Sequence, residues 1–557
     1  GQVRVALHTA GLNFRDVMIS LGMYPGQAHI GSEGAGTVTE TAPDVHGITI
    51  GDTVMGVLTQ GVGPVTRTDH RYLAPVPDGW TLAEAATAPV AFLTAYYALN
   101  DLAGLSAGES VLIHAAAGGV GMAAVQIAQA LGADVFTTAS EGKWDALRAL
   151  GIDDDHIASS RTADFETAFR QIAPQGVSVV LDALSGDLVD AGLRLLSPGG
   201  RFVEMGKTDL RDPRQIQQAY GVTYTAFDLG EVPAARIARM WEVLNDWFTR
   251  GLIRPLPRTV WDIRSAPEAF RLMAGARHVG KVVLTVPRPL DPDGTVLITG
   301  GTGTLGAHVA RHFVTAHGIR HLVLMSRQGL QAPGAAALSQ ELAALGARVT
   351  VHAADVTDGA AIRSIVDGIA ADRPLTAVVH AAGLVDDATA AALTPERLSA
   401  VMGPKVTGAW QLHTATRHLD LAAFVMFSSA SGVLGGAGQA NYAAANTFLD
   451  ALAAHRDALG LPATSLAWGY WAEASGMTGH LTDADRARMA RAGLVPLATE
   501  HGLALLDRAL ATPYPLLAPL GLDTAALSDA EPTPALLRGL ARAPGRAAGR
   551  TARRAGG

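Results

Sequence analysis

Apolar and polar positions along the chain form two long series of alternating strands and helices. From Leu82 the pattern turns helical, and strand-like runs such as ESVLIHA, SVVLDAL and RFVEMG then separate the predicted helices. A second series starts at Thr295 with TVLITG and continues through HLVLMSR, AVVHAAG and AFVMFSSASG. Strands that alternate with helices predict a parallel, doubly wound sheet. We therefore expect two α/β domains, each built on such a sheet.

The residues before Leu82 follow a different pattern, with short β-like runs such as EGAGTVTET and many glycines. They predict a small β-rich domain, which the β-like residues 255–286 are expected to rejoin. The segment 287–294 (PRPLDPDG) has three prolines in eight residues and is the best candidate for a linker. We predict a β-rich part (1–104 and 251–287), a first nucleotide-binding part (105–250), a linker (288–293), a second α/β domain (294–525) and an Arg/Ala-rich C-terminal linker (526–557).

Composition narrows the range of functions. The 557 residues, 48% of them hydrophobic, predict two or three globular domains, and a net charge of −8 gives no general attraction to nucleic acid or to an anionic membrane. We expect no membrane span and no signal peptide, and the chain is expected to be a cytoplasmic part of a larger protein. The six arginines of 538–557 predict a solvated linker, with a nucleic-acid or docking arm as the alternative.

The chain has no cysteine, which excludes disulfides, thiol nucleophiles and thiolate–zinc sites. The 18 histidines show no HExxH or comparable spacing, so we predict no metal. A site made of histidine and carboxylate alone stays open. The chemistry is therefore expected to depend on an organic cofactor.

The first glycine-rich turn, in HAAAGGVGMAAV, lies between a predicted strand and a predicted helix. Glycines in this position let backbone N–H groups approach a dinucleotide pyrophosphate, although such a motif also occurs as a plain tight turn. The next strand ends FTTAS, without the acid that binds the ribose of NAD. Lys143 and Arg161 are candidates for a 2′-phosphate, which favours NADPH; ordinary surface charge is the alternative. The predicted cofactor residues of this turn are Gly118, Gly119, Val120 and Gly121.

Residues 1–287 resemble the medium-chain, zinc-independent reductases related to quinone oxidoreductase. The stretches GLNFRDVMISLGMYPG, GSEGAGTV, HAAAGGVGMAAVQIAQ and MGKTDLRDP match the enoyl reductase domain of bacterial modular (type I) polyketide synthases. The resemblance implies a GroES-like substrate part beside a Rossmann-type sheet, and NADPH-dependent reduction of an enoyl thioester at its β-carbon, followed by protonation at its α-carbon. Three positions match residues proposed for catalysis in that family. Tyr24 is linked to the configuration of an α-methyl branch, Lys207 follows the strand RFVEMG, and Asp228 pairs with Lys207 or is only a helix cap.

Residues 294–525 have the layout of short-chain dehydrogenase/reductases, on a second Rossmann-type sheet. TGGTGTLG supplies the TGxxGxxG spacing, and the next strand ends LMSRQG, which places an arginine where a 2′-phosphate would bind. NADPH is again favoured, so the chain needs one NADPH for each reductase. The predicted cofactor residues here are Gly300, Gly301, Thr302, Gly303, Thr304, Leu305, Gly306, Ser326, Arg327, Asp355, Val356, Ala381, Ala382 and Gly383.

The stretch FSSASGVLGGAGQANYAAAN carries the catalytic pattern of this second domain. Ser429 and Tyr442 are thirteen positions apart, and Asn446 lies one helical turn after the tyrosine. A tyrosine that protonates a ketone oxygen needs its pKa lowered from about 10, which a neighbouring cation achieves. Asparagine at 446 together with Lys405 upstream resembles the exchanged Lys/Asn arrangement of polyketide synthase ketoreductases.

Further positions suggest a stereochemical class. The loop GLVDDAT keeps the family's diagnostic Asp387 but has valine where the pattern has leucine, and Leu434 stands where the other class has tryptophan. Both imply a B-type enzyme that makes a D-configured 3-hydroxyl. Solvated loop acids are the alternative for the aspartates. Within 466–477, Trp468 and Trp471 are candidate walls of the substrate site, or plain core residues.

Dehydration separates the two reductions, and nothing in the sequence resembles a dehydratase. We therefore expect an acyl carrier protein to bring the substrate to both sites, with a dehydratase and other synthase domains as partners. The structural half that precedes the enoyl reductase in full modules is not found before Gly1. Two alternatives remain: a fusion of free-standing NADPH reductases that act on diffusible quinones or ketones, and a non-enzymatic NADPH-binding module.

Overall fold

The computed structural model describes residues 1–24, 28–59, 61–473, 483–491, 493–529 and 535–540. The chain divides into two compact units, Gly1–Pro287 and Arg288–Gly557.

Two sheets form the first unit. A seven-stranded, largely antiparallel sheet has the order β12-β13-β1-β2-β3-β5, with β4 paired to β1; a six-stranded parallel sheet has the order β11-β10-β9-β6-β7-β8. The late strand β13 pairs with β1, so residues after the parallel sheet return to the β-rich part. The strands are β1 (Gln2–Leu12), β2 (Glu33–Thr41), β3 (Thr53–Val57), β4 (Val65–Asp69), β5 (Leu73–Pro75), β6 (Ser110–Ile113), β7 (Asp134–Ala139), β8 (Ile157–Ser159), β9 (Val177–Asp182), β10 (Leu196–Glu204), β11 (Thr223–Ala226), β12 (Arg258–Asp262) and β13 (Lys281–Thr285).

Helices pack on both faces of the parallel sheet, with Val111 and Leu181 facing one core cluster and Leu112 and Val180 facing another. This alternation follows from the pleat, which sends successive side chains to opposite faces. The helices of this unit are α1 (Phe14–Ser20), α2 (Leu82–Ala85), α3 (Pro89–Tyr96), α4 (Gly119–Ala130), α5 (Trp144–Arg148), α6 (Asp164–Ile172), α7 (Asp187–Leu195), α8 (Pro213–Tyr220), α9 (Ala234–Thr249) and α10 (Ala266–Ala274).

One apolar helical run, Leu82–Leu102, has the length and composition of a membrane span among the described residues. It comprises α2, α3 and a π-helical segment, Tyr97–Leu102. In the structure 78% of its apolar window is buried inside the protein. Phe92, Leu93 and Leu99 are fully enclosed in the core of the first unit, so packing within that core accounts for the apolar composition.

The second unit has one large parallel sheet in the order β16-β15-β14-β17-β18-β19-β21, and β20 pairs with β22. The strand order reverses direction between β14 and β17, which opens a crevice at the carboxyl ends of these strands. The strands are β14 (Thr295–Thr299), β15 (His321–Ser326), β16 (Arg348–Ala353), β17 (Leu375–His380), β18 (Ala423–Ser429), β19 (Thr464–Trp468), β20 (Leu494–Val495), β21 (Leu516–Leu517) and β22 (Gly521–Leu522).

This sheet is also covered on both faces, by one core cluster around Phe313 and Leu506 and another around Leu412 and Leu449. The predicted fold class, two doubly wound parallel sheets with an added β-rich part, is confirmed. The helices are α11 (Thr304–His317), α12 (Ala335–Ala344), α13 (Gly359–Asp367), α14 (Pro395–Met402), α15 (Gly408–Thr416), α16 (Ala430–Leu434), α17 (Ala440–Ala458), α18 (Asp483–Arg491), α19 (Thr499–Leu510) and α20 (Thr524–Asp529).

The two predicted linkers differ in what the structure describes. Within 288–293, Arg288 pairs with Asp420, Asp293 lies 3.0 Å from Arg320, and Leu290 packs on the core. This segment is therefore attached to the second unit rather than free, because its charged and apolar side chains both find partners there. In the predicted C-terminal linker 526–557, α20 extends to Asp529, and 530–534 and 541–557 lie outside the described residues.

Candidate active sites

The first glycine turn connects β6 to α4. A Cβ at Gly121 would lie 2.5 Å from the carbonyl oxygen of Ala115, and one at Gly119 would lie 2.7 Å from Cδ of Lys281. Gly118 caps the helix in an extended conformation. The first N–H groups of a helix have no acceptor within it, so those of Gly119, Val120 and Gly121 are available to a phosphate. The turn therefore fits a dinucleotide pyrophosphate.

Two cations lie beyond the carboxyl end of β7. The pKa of Lys143 is lowered, first by its partial burial and then by the positive charge of Arg161. Two like charges held this close repel each other unless an anion joins them. A phosphate dianion would relieve that repulsion, so the pair fits a 2′-phosphate.

The three candidate catalytic residues of the first unit lie around one further side chain, Arg15. The Nζ of Lys207 lies 3.1 Å from a carboxylate oxygen of Asp228 and donates a hydrogen bond to the carbonyl oxygen of Phe227 at 2.7 Å. The guanidinium of Arg15 lies over the ring of Tyr24, 4.9 Å from its centroid. Arg15 was not predicted, because nothing in the sequence connects α1 to residues two hundred positions later.

Opposing influences set the pKa of Asp228. Burial raises it, but hydrogen bonds from the backbone of Gly230 and from Lys207, together with the charges of Lys207 and Arg15, outweigh burial and lower it. The carboxylate is therefore ionised and holds the Lys207 ammonium in place. Asp228 also caps the short helix that follows it, so the two interpretations of this residue are compatible.

A buried acidic pair lies at the same edge of the parallel sheet and was missed by sequence reasoning. Asp182 and Glu204 end β9 and β10 and are direct neighbours in the sheet. Burial raises the pKa of both carboxyls, and the charge of Asp182 raises that of Glu204 further. His114, 3.7 Å from Asp182, stays neutral because burial lowers its pKa to about 3. The pair therefore retains a proton at neutral pH. Its signal in the sequence is an acid at the end of an apolar run.

The second unit has a cavity of about 700 Å³ at its sheet crevice. Every residue predicted to bind the second cofactor lines this cavity, with the exception of Gly301. A Cβ at Gly301 would lie 2.8 Å from the carbonyl oxygen of Ile298, so this glycine faces the strand instead. The cavity is lined by Gly300, Thr302, Gly303, Thr304, Leu305, Gly306, Ser326, Arg327, Asp355, Val356, Ala381, Ala382 and Gly383, among others.

Close packing makes glycine necessary at both ends of the second turn. Gly300 has a φ of 68°, and a Cβ there would lie 2.9 Å from the carbonyl of Ala381. A Cβ at Gly306 would lie 2.2 Å from the carbonyl oxygen of Gly300. Gly303 caps α11, whose first N–H groups face the cavity. The glycine turn, the volume of the cavity and the exposed Arg327 together fit a dinucleotide that carries a 2′-phosphate.

The four predicted catalytic residues of the second unit converge beside this cavity. Ser429 ends β18, Tyr442 lies in the first turn of α17, and Lys405 lies in a π-helical segment, Gly403–Thr407. The Nζ of Lys405 lies 5.5 Å from the centre of the Tyr442 ring and donates to the carbonyl oxygen of Phe427 at 2.8 Å. Asn446 donates to the backbone carbonyl of Tyr442 at 2.8 Å, and its buried Oδ1 has no protein partner among the described residues.

The pKa of the Tyr442 phenol differs from the expectation. Burial raises it and outweighs the hydrogen bonds of Ser429 and Asn446, which act in the opposite direction. The net direction is therefore opposite to the lowering that was expected from a neighbouring cation. Burial also lowers the pKa of Lys405 to about 8. The amine is thus largely charged at neutral pH and loses its charge as the pH rises through about 8.

The predicted stereocontrol loop contacts the start of α17. Gln439 donates a hydrogen bond to the Asp387 carboxylate at 2.9 Å, and Asn441 donates to the carbonyl oxygen of Asp386 at 2.9 Å. Arg397 pairs with Asp386 and donates to the carbonyl oxygen of Asp387 at 2.8 Å. These contacts fix the loop against the helix that carries the phenol. Arg397, Gln439 and Asn441 were not predicted; Gln439 and Asn441 lie 52 and 55 residues from their partners.

The structure favours the core-packing interpretation of the two tryptophans. Trp468 is only 5% exposed, and its ring centre lies 5.5 Å from Phe427 and 5.0 Å from Trp471. Packing within the core accounts for both side chains, and a role in the substrate site stays a prediction. Leu434 ends α16 and is partly buried. Residues 474–477 of the predicted lid lie outside the described residues.

Three family models match the chain. An alcohol dehydrogenase GroES-like domain matches residues 1–97, a zinc-binding dehydrogenase domain matches 152–284, and a KR domain matches 294–473. Zinc does not fit the middle region: the chain has no cysteine, and the described residues of 152–284 contain no group of three converging ligands.

The chain is also similar to curated synthases and to solved structures. It is 59% identical over 97% of its length to polyketide synthase GfsB of Streptomyces halstedii, and 56% identical over 95% to the pikromycin polyketide synthase component PikAII of Streptomyces venezuelae. The chain spans only 10% and 14% of the length of these two proteins. The crystal structure of CurK enoyl reductase is 40% identical, with a TM-score of 0.49, covering 51% of this chain and 91% of that one. The described geometry and the matched domains together identify a nicotinamide-dependent oxidoreductase.

Proposed function

Because this chain belongs to the enoyl reductase–ketoreductase didomains of modular polyketide synthases, we propose that it reduces two different bonds of one growing acyl chain. The first unit reduces 2-enoyl-thioesters, and the second reduces 3-ketoacyl-thioesters to 3-hydroxyacyl-thioesters. The observation that carries the proposal is the convergence of Ser429, Tyr442, Lys405 and Asn446 beside a cavity of about 700 Å³.

Each unit uses its own NADPH in this proposal. The dinucleotide supplies the reducing equivalent when bound. In the first unit the glycine turn provides N–H groups for the pyrophosphate, and Lys143 with Arg161 supports a preference for the 2′-phosphate. In the second unit the exposed Arg327 beside the cavity supports the same preference. Asp355, held by hydrogen bonds from Thr357, is placed for the adenine edge.

In the ketoreductase the Tyr442 phenol donates a proton to the substrate oxygen as negative charge develops there. Ser429 Oγ donates a hydrogen bond to the same oxygen. The Lys405 ammonium, 5.5 Å from the centre of the Tyr442 ring, is proposed to stabilise the phenolate that remains. Asn446 holds the first turn of the helix through its bond to the tyrosine carbonyl.

In the enoyl reductase the Lys207 ammonium is proposed as the stabilising donor and proton source for the enolate. Asp228 orients it through their ion pair at 3.1 Å. Tyr24, positioned against Arg15, is proposed to set the face on which the α-carbon is protonated. These roles are supported by the location of Lys207 directly after β10, at the carboxyl edge of the parallel sheet where ligands bind in such folds.

The ketoreductase is proposed to be B-type and to give a D-configured 3-hydroxyl. The contact between Asp387 and Gln439 supports a loop fixed beside the helix that carries the phenol, and the leucine at 434 supports the same class. An acyl carrier protein is proposed to carry the substrate between this chain and a dehydratase, in the cytoplasm. That shuttle is required since neither unit can use the immediate product of the other.

The function is tested by measuring NADPH oxidation with matched substrates. We expect kcat/KM for crotonyl and acetoacetyl thioesters to exceed that for simple quinones and diffusible ketones by tenfold or more, because the thioester arm adds binding energy in the transition state. A preference for quinones would favour free-standing reductases. Cofactor binding without turnover on any substrate would favour a non-enzymatic module.

Cofactor choice is tested by removing one cation at a time. We expect Arg327→Ala to lower kcat/KM for NADPH in ketone reduction by about 10- to 100-fold, the value of a charge-assisted contact, and to leave the value for NADH unchanged. Lys143→Ala is likewise expected to lower kcat/KM for NADPH in enoyl reduction and to leave the value for NADH unchanged. Arg320→Ala is the matched control, because Arg320 precedes β15 whereas Arg327 follows it. Equal losses with both cofactors would contradict recognition of the 2′-phosphate.

A further inference from the structure

Two histidines of α11 and one aspartate of α19 converge on the surface of the second unit. The Nε2 atoms of His312 and His317 lie 2.8 Å and 2.9 Å from the same oxygen, Oδ1 of Asp507. The three ligand atoms all lie within 4.8 Å of one another. The two rings meet edge to face, with centroids 5.3 Å apart. No other group of three or more such ligands converges in this way among the described parts of the chain.

This cluster lies far from the cofactor cavity. Helix α11 begins at the glycine turn with Thr304, and His312 lies eight residues later, about 12 Å along the helix axis. His317 is the last residue of the helix, one residue before its glycine cap. The cluster therefore joins the far end of the first helix of this unit to a helix near the end of the domain, and no step of the proposed reactions uses it.

We propose that His312, His317 and Asp507 form a binding site for a zinc ion that joins α11 to α19. Two imidazoles and one carboxylate are a ligand set that zinc accepts, with water as the fourth ligand. The side chains are 14%, 26% and 38% exposed, respectively, so they are anchored in the structure but open to an ion and a water. The site is independent of the proposed reductions.

The distances are short enough for the ion to enter with little movement. Ligands about 2.1 Å from a tetrahedral zinc ion lie about 3.4 Å apart, so the carboxylate must move by about 0.5 Å from each imidazole. Without the ion, Oδ1 accepts a hydrogen bond from each ring. With the ion, each neutral ring carries its one proton on Nδ1 instead of Nε2 and offers the Nε2 lone pair to zinc.

A histidine–carboxylate pair on the same helix, His308 with Glu473, provides a matched control. The Nε2 of His308 lies 2.6 Å from Glu473, and the hydroxyl of Thr499 donates to that carboxylate at 3.3 Å. This pair also connects α11 to residues outside it, but it offers one imidazole instead of two. His308→Ala thus removes a similar hydrogen bond without removing a proposed zinc ligand.

The experiment uses the full chain without an affinity tag, treated with a chelator and then titrated with zinc sulfate by calorimetry and by thermal unfolding. We expect one zinc ion per chain, with micromolar or tighter affinity, and a rise of about 5 °C in the unfolding midpoint of the second unit at a hundredfold excess over Kd. His312→Ala and Asp507→Asn are expected to weaken binding at least tenfold and to abolish the rise. His308→Ala is expected to bind as the unchanged chain does.

Ketone reduction by the zinc-free variants checks that they are folded, since none of these residues belongs to the catalytic set. If His312→Ala does not fold, Asp507→Asn and the visible spectrum of the cobalt-loaded unchanged chain decide the question. Equal zinc affinity of the unchanged chain and a folded ligand variant overturns the proposal. The absence of zinc binding at a free zinc concentration about 100-fold above the expected micromolar Kd also overturns the proposal.

Discussion

Replacing Tyr442 by phenylalanine is expected to lower the rate of ketone reduction by about 10²- to 10⁴-fold and to leave enoyl reduction unchanged. The substitution removes the proton donor but keeps the ring that packs in the first turn of α17 and against Lys405. Single-turnover NADPH oxidation, measured separately with a 3-ketoacyl and a 2-enoyl thioester, gives the two rates.

The matched control is Tyr514→Phe, which removes the same hydroxyl from an exposed position of the same unit. We expect this variant to reduce both substrates at the unchanged rates. Nucleotide affinity of Tyr442→Phe should also be unchanged, because the phenol is not among the residues that line the cavity. If both reductions fall together, or if ketone reduction survives, the proposal of two separate sites with a phenol donor in the second is wrong.

Replacing Glu33 by alanine is expected to destabilise the first unit by about 3–5 kcal/mol. Glu33 and Lys281 form an ion pair in which the side chains are 0% and 3% exposed. The Lys281 Nζ also donates at 2.9 Å to the carbonyl oxygen of Leu12 and to Asn13. The other carboxylate oxygen of Glu33 accepts the backbone N–H of Val90 at 2.7 Å. Without the carboxylate, a buried ammonium and a helix N–H both lose their main partner. Urea unfolding followed by tryptophan fluorescence measures the change.

The control is the exposed pair Arg4–Glu40, which joins β1 to β2 in the same sheet. Glu40→Ala is expected to cost less than about 1 kcal/mol, since solvent screens exposed ion pairs. A loss from Glu33→Ala no larger than that from Glu40→Ala would show that the buried pair contributes little. The double variant Glu33→Leu with Lys281→Met is expected to recover most of the stability, because it removes both buried charges.

Local patterns determined how much of this molecule was predictable. The glycine turns, the strand alternation and the spacing of Ser429, Tyr442 and Asn446 depend on neighbours in sequence, and each is visible within about twenty residues. Lys405 is further away and was identified through the family resemblance. The fold class was therefore predictable, and so were 13 of the 23 residues that line the second cavity.

Contacts between distant segments were not predictable. Arg15 lies close enough to Asp228 to lower the pKa of that carboxyl, and Gln439 meets Asp387 across 52 residues. The acidic pair Asp182–Glu204 depends on two strands being neighbours in the sheet. The sign of the Tyr442 pKa shift also depends on tertiary structure, because burial decides it.

The contact between Gly119 and Lys281 bears on how such reductases can be recombined. Gly280 donates its N–H to the carbonyl oxygen of Ala117 at 2.9 Å, and the Lys281 stem fills the space where any side chain at 119 would go. The loop proposed to hold a pyrophosphate is thus shaped by a residue of the β-rich part, more than 150 positions downstream. A chimera can take the segment around 119 from one parent and the segment around 281 from another. The two segments would then come from proteins in which this packing contact was not shared. The crossover points of such hybrid enzymes should therefore be placed so that both segments come from the same parent protein.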